Sequence, residues 1–208
     1  MRFLIITKKQ LMLGICALIA VIAVVIGSAA AFAGNDRKLP IYCVETEKKQ
    51  IAISFDAAWG NDDTQTLIDI LKEYNVPATF FVVGSWVDKY PESVKALSDA
   101  GHQVQNHSNT HPHMPQLSKQ QMRDELESCN SKIKAITGVC PTLLRPPYGD
   151  YDNALIETVD SLGMSAIQWS VDSLDWKESA TPDSIFKRVT GRVTNGSIVL
   201  FHNDADHT

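Results

Sequence analysis

The sequence predicts an α/β domain built on a parallel sheet. Two observations carry this: short apolar runs alternate with amphipathic helical stretches, and residues able to do chemistry recur where those runs end. "IAISFD" is an apolar run closing on an acid, too short for a helix and suited to a buried strand. "TQTLIDILKEYN" places Leu67, Ile68, Ile70 and Leu71 at helical spacing. "ATFFVVG" reads as the next strand and "PESVKALSDAG" as the next helix, with proline at its start. The order continues with strand "HQVQNHS", helix "SKQQMRDELESCNSKIKAITG", strand "TLLRPP" and helix "NALIETVDSLG". It closes with strand "SAIQWSVD", helix "PDSIFKRVTGRV" and strand "SIVLFH". In such βα architectures active sites gather at the carboxyl ends of the strands.

The start of the chain bears on compartment. Arg2, Lys8 and Lys9 precede an apolar run from Leu11 to Ile26, then "GSAAAFA" and the polar "GNDRK". A basic start, an apolar middle and an A-x-A ending describe a secretory signal over residues 1–33. The run also approaches the roughly 20 residues that span a bilayer, so an uncleaved anchor is the alternative. Either places the rest of the chain outside the cytoplasm, secreted or anchored at the cell surface. Residues 34–49 read as a linker and 50–208 as one domain. Without residues 1–33 the chain keeps 16 basic and 24 acidic residues, a net charge of −8. That balance argues against a nucleic-acid partner. Cys43, Cys129 and Cys140 allow at most one internal bridge, of which Cys129 to Cys140 is a candidate.

"NHSNTHPHM" holds three of the six histidines. His107 and His111, four apart, are at metal-ligand spacing if they share one face of a helical turn. Asp56, His107, Arg145, Asp172, Asp175 and His202 each follow an apolar run. Singly, each has an ordinary explanation, such as a helix cap, a surface ion pair or a core histidine. Together on one rim they suggest a metal-assisted hydrolase.

"SFDAAWG", "HSNTH", "RPPYG", "DSLDW" and "LFH" occur in the order of the five motifs of the polysaccharide deacetylases with a NodB homology domain, carbohydrate esterase family 4. The chain resembles that family from Ile51 onward, and within it the PdaB-type sporulation deacetylases of Gram-positive bacteria. The resemblance implies a distorted (β/α) barrel. It also implies a divalent metal, usually zinc, used to remove N-acetyl groups from cell-wall glycan, the expected partner. The chain is expected to act as a monomer.

By the same resemblance, His107 and His111 match the metal histidines, Asp56 the base, and Arg145 the residue orienting Asp56 through a fork suited to bidentate pairing. His202 matches the general acid, Asp175 its partner, and the backbone N–H of Tyr148 an oxyanion donor. Trp176 and Leu200 match the walls of the acetyl-methyl pocket, with Pro147 of "RPPYG" also on the substrate side; His113 matches no ligand. The chain departs from the pattern at Ala57, where the family's common form has an aspartate that ligates the metal. Asp62 or Asp63 could replace it, or cap the following helix. It departs again after "LFH", where family members continue with another helix and strand. A barrel lacking that unit is expected to leave an open strand edge and an apolar flank. The rival expectations are a glycan-binding pseudoenzyme and a metal-dependent amidase of small substrates.

Overall fold

The computed structural model describes Lys8, Lys9, Met12, residues 37–205 and Thr208. The signal or anchor segment expected over residues 1–33 thus lies almost wholly outside the described residues. Among those described, no helix is long and apolar enough to cross a membrane.

Residues 38–208 form one compact unit. Its strands are β1 (Ala52–Ala57), β2 (Thr79–Val82), β3 (Gln103–Asn106), β4 (Leu143–Leu144), β5 (Ser165–Ala166), β6 (Val171–Asp172) and β7 (Ile198–His202). They make a seven-stranded sheet in the order β5-β4-β3-β2-β1-β7-β6, with every pairing parallel. The helices are α1 (Thr64–Glu73), α2 (Gly84–Lys89), α3 (Pro91–Asp99), α4 (Lys119–Thr137), α5 (Asn153–Ser161) and α6 (Pro182–Thr190). All strands and helices expected from the periodicity are present, and α2 is an addition.

One expected strand, "SAIQWSVD", is instead two, on opposite edges of the sheet: β5 pairs with β4, and β6 with β7. Only residues 167–170 join Ala166 to Val171, a step of at most about 18 Å even fully extended. Laid flat, six inter-strand gaps would separate the edges by about 29 Å. The sheet therefore curls into a half-barrel, the distorted (β/α) barrel expected.

The stretch expected as a linker helps close that barrel. Ile41 bridges to Ile167 and Cys43 to Ser197, with Ile41 N–H donating to Ala166 O and Val44 N–H to Gly196 O. Its pairing satisfies backbone groups that would otherwise stand open near the sheet edges. An open edge at β7 is not found, since β7 lies between β1 and β6. What stands open is a flank: an apolar groove between α1 and the sheet, lined by Ile53, Phe55, Leu67 and Phe201 among others.

Helix ends follow local chemistry. Ser118 and Gln121 form a capping box at the start of α4, and Gly138 ends it at φ 75°, a conformation open to glycine. Phe55, Ala57, Phe80, Val82, Trp86, Leu97 and Ile133 pack between the sheet and its helices. Alternate residues Ser54 and Asp56 face the barrel interior instead, as the period of two requires. No disulfide links the described cysteines: Cys43 and Cys140 are exposed and free, and Cys129 is free and buried.

Candidate active site

The carboxyl ends of the strands open into a cleft of about 440 Å³ lined by Asp56, Trp59, His107, His111, Tyr148, Asp172, Trp176, Leu200 and His202, among others. A larger groove of about 640 Å³ lies between α1 and α3 near Pro77 and His102. Its acids pair locally, Asp69 with Gln65 and Asp99 with Lys95. The smaller cleft instead holds Asp56 and His202, each in a pair closed by a buried partner, Arg145 and Asp175.

Asp56, 6% exposed, receives a hydrogen bond from Arg145 Nη1 to Oδ1 at 3.0 Å. Arg145 is fully buried, its guanidinium over Phe81 at 4.2 Å. The expected bidentate fork is not formed. Nη1 is shared with Ser54 Oγ at 2.8 Å, and Nη2 donates to Gln168 O at 3.2 Å. The cation thus ties β1 to the β5–β6 crossing, and the carboxylate keeps one oxygen free of it. That oxygen, Oδ2, lies 3.6 Å from His107 Nε2.

The histidine pair is not on a helical turn, as its spacing suggested. His107 directly follows β3, and His111 sits in an irregular loop at φ 61°. The loop is held at each step instead. Asn106 Oδ1 accepts from Ser108 N–H, and Ser108 Oγ accepts from His111 N–H. The Glu125 carboxylate of α4 accepts from the N–H groups of Asn109 and Thr110 and from Thr110 Oγ1. Ser54, Asn106 and Glu125 are supports that motif reading passed over. Ser54 and Asn106 left a signal as polar residues inside strand runs; Glu125 left none, because helical acids are ordinary.

His107 Nδ1 donates to Arg145 O at 2.7 Å, which leaves Nε2 with its lone pair. Among the described residues, His111 Nδ1 is buried with no partner. Burial pushes both imidazoles down, His111 to about 4, so both are neutral donors near pH 7. In this respect the pair fits a divalent ion. The third protein donor does not follow: among the described residues no group of three His, Cys, Asp or Glu could hold a metal. Ala57 is fully buried against the helix-side core. Asp62 and Asp63 do not line the cleft. Asp63 precedes α1 without a side-chain cap bond, and its Oδ2 accepts from Asp204 N–H.

On the other wall, Asp175 Oδ1 lies 2.8 Å from His202 Nδ1, and Oδ2 accepts from His202 N–H at 2.7 Å. Burial by itself would lower the His202 pKa. The Asp175 hydrogen bond, with the charges of Asp56 and Asp172, outweighs it and raises the value. Asp175 is lowered in turn, its burial outweighed by the His202 hydrogen bond and charge. The pair therefore stabilises the fold between those limits: His202's share fades as pH rises through its raised value, and Asp175's as pH falls through its lowered one. Asp175→Asn is expected to move the alkaline limb of any His202-dependent pH profile to lower pH. A limb left in place would show that Asp175 does not hold the imidazolium.

Leu200, 2% exposed, and Trp176, 57% exposed, both line the cleft. Pro147 is buried and is not among the lining residues. Tyr148 takes φ 60°, and Ser108, His111 and Leu174 also have positive φ, so left-handed residues gather in the rim loops. His113 stacks on Tyr148 at 4.1 Å and reaches Asp150 at 3.2 Å, a rim contact.

The family pattern described as polysaccharide deacetylase matches residues 44–167, more than half of the chain. The chain belongs to the polysaccharide deacetylase family. Among curated members of this family, the peptidoglycan-N-acetylmuramic acid deacetylase PdaA of Bacillus subtilis is 38% identical over 137 residues, 65% of this chain and 52% of that protein. The peptidoglycan-N-acetylglucosamine deacetylase of Bacillus cereus is 29% identical over 177 residues, 85% of this chain and 64% of its own. The chain spans 35 to 64% of the length of the first curated relatives it matches. Among solved structures, a family 4 carbohydrate esterase pseudoenzyme from Bacillus anthracis superposes with a TM-score of 0.76 at 36% identity, covering 79% of this chain and 58% of that one. A mutant of it, described as having restored enzymatic activity, also matches at 0.76. Polysaccharide deacetylases are generally metal-dependent, and in this chain His107 and His111 are the donors the site offers.

Proposed function

We propose that this chain is an extracytoplasmic N-deacetylase of peptidoglycan-like glycan that uses a divalent metal, zinc by preference, and acts in the manner of the PdaB-type sporulation enzymes. The observation that carries the reading is the opposed arrangement of Asp56 with Arg145 and His202 with Asp175 across one cleft. Two groups whose environments differ this way are what acid and base roles require.

Asp56 takes the proton of the attacking water, its carboxylate oriented by Arg145. His202, kept protonated by Asp175, gives its proton to the departing amine nitrogen, so that acetate and a free amine result. The Tyr148 backbone N–H serves the developing oxyanion, a type of contact worth about 10² to 10³ in rate elsewhere. Leu200 and Trp176 wall the acetyl methyl. His107 Nε2 and His111 Nδ1 would hold the cation, which when bound polarises the amide carbonyl and lowers the pKa of water.

A second reading is favoured by two observations: Ala57 supplies no carboxylate, and the matching Bacillus anthracis structure is of a pseudoenzyme. On that reading the cleft binds glycan without cleaving it. Acetate release from N-acetylated peptidoglycan fragments, with zinc and then with chelator, separates the two. Deacetylation predicts chelator-sensitive release that disappears in His107→Ala. Zinc-loaded, folded protein that binds fragments but releases nothing would establish the second reading. Release from short amides but not from glycan would instead mark a small-substrate amidase.

A further inference from the structure

Trp59, Trp169 and Trp176, three of the chain's four tryptophans, line the catalytic cleft. The fourth, Trp86, is buried in the core at 1% exposure. Trp59 has no role in the reaction described above, yet at 70% it is among the most exposed large apolar side chains of the described residues. An indole left in water forgoes the free energy of burial, so its position calls for a reason.

The loop that carries it is held in place. The Gly60 carbonyl accepts from Trp86 Nε1 at 2.7 Å and from Asn203 Nδ2 at 2.6 Å, and Asn61 Nδ2 donates to Ser93 Oγ at 2.9 Å. A Cβ at Gly60 would meet the Asp204 carboxylate, which would have to swing aside to admit it. Trp59 itself meets His111 edge-on, ring centroids 5.7 Å apart. The indole is thus presented to the cleft by a backbone already ordered, which lowers the entropy lost when a ligand stacks on it.

We propose that Trp59 is the stacking platform for a pyranose ring next to the sugar whose amide faces Asp56 and His202. This rests on the glycan reading given above. A pyranose has a flat C–H face and a rim of hydroxyl and amide groups. Exposed aromatic faces at Trp59, Tyr148 and Trp176 suit the first, and the polar floor of Asp56, Asp172 and His202 suits the second. Stacking needs no metal, so glycan affinity survives whatever Ala57 does to the chemistry. Occupying a site beyond the reacting sugar, Trp59 also sets a preference for oligomers over the single sugar.

The test is calorimetric titration of the chain with the β-1,4-linked pentamer of N-acetylglucosamine and with N-acetylglucosamine alone, chelator present throughout. Trp59→Ala is expected to weaken pentamer binding roughly three- to tenfold, the range of one aromatic contact, while Trp59→Tyr retains most of it. The monosaccharide should be bound equally by all three. Equal pentamer affinity in wild type and Trp59→Ala overturns this role and leaves the glycan reading standing. Trp59→Tyr binding as weakly as Trp59→Ala overturns stacking in favour of a disturbed loop. A wild-type chain that does not bind the pentamer sinks the glycan reading itself, and this inference with it.

Discussion

Ala57→Asp is expected to make zinc a ligand on which both folding and activity depend. Residue 57 ends β1, directly after Asp56, and is fully buried beside Phe55, Leu67 and Trp86. A carboxylate there with no counter-ion would lose its hydration, and burying an unpaired charge costs several kcal/mol. The metal-free variant should therefore be less stable than the wild type, by roughly 2 to 4 kcal/mol. With zinc the balance reverses, because His107 Nε2 and His111 Nδ1 already lack proton partners and a third donor completes a hydrolytic donor set. A ligand present at 1,000 times its Kd stabilises by about 4 kcal/mol, enough to cancel that loss. Thermal melts with and without zinc, zinc titration, and acetate release give three readouts. Zinc affinity and acetate release should both rise, by at least roughly 10². If the variant bound zinc no more tightly than the wild type, a carboxylate at this position would not reach the imidazoles.

Arg145→Ala should cause the largest loss of stability among single changes in the cleft. The guanidinium is fully buried and joins Asp56, Ser54 and the Gln168 carbonyl while lying over the Phe81 ring. Burial pulls its pKa down and Asp56 opposes this, so the cation depends on its partner. Removing one member of a buried pair costs about 3 to 5 kcal/mol, because the other is left charged and unpaired. With a urea m-value of about 1 to 3 kcal/mol per M, the midpoint should fall by roughly 2 M. Adding Asp56→Asn to Arg145→Ala should recover part of the loss, since no charge is then stranded. A midpoint unchanged by Arg145→Ala would mean that water reaches Asp56 and that the pair is not a structural tie.

The periodic segments were legible because burial imposes its own spacing. Leu67, Ile68 and Leu71 are buried on α1, and Phe80, Phe81 and Val82 on β2, as their patterns required, whereas Ile70, read on the same helical face, is exposed. The strand-end residues Asp56, His107, Asp172 and His202 meet in one cleft because a parallel sheet brings all its carboxyl ends to one side. The break in "SAIQWSVD" was not legible. Ala166 and Val171 are close in sequence but pair with opposite edges, and only curling of the whole sheet sends the chain between them. The helical reading of His107 and His111 failed for a related reason: beside the local bonds of Asn106 and Ser108, their loop takes its shape from Glu125, on the distant α4.

The sequence alone determined most of the strands and helices, which residues carry acid and base chemistry, and that position 57 holds a methyl group in place of a carboxylate. These are properties of side chains and of local periodicity. The tertiary structure decided what those groups do to one another. It divides the Arg145 fork among three partners, raises His202 against the pull of burial, strips His111 Nδ1 of any partner, and stands Trp59 at the cleft on a fixed loop. Each depends on burial and on contacts between residues distant in sequence, and both exist only once the sheet has curled.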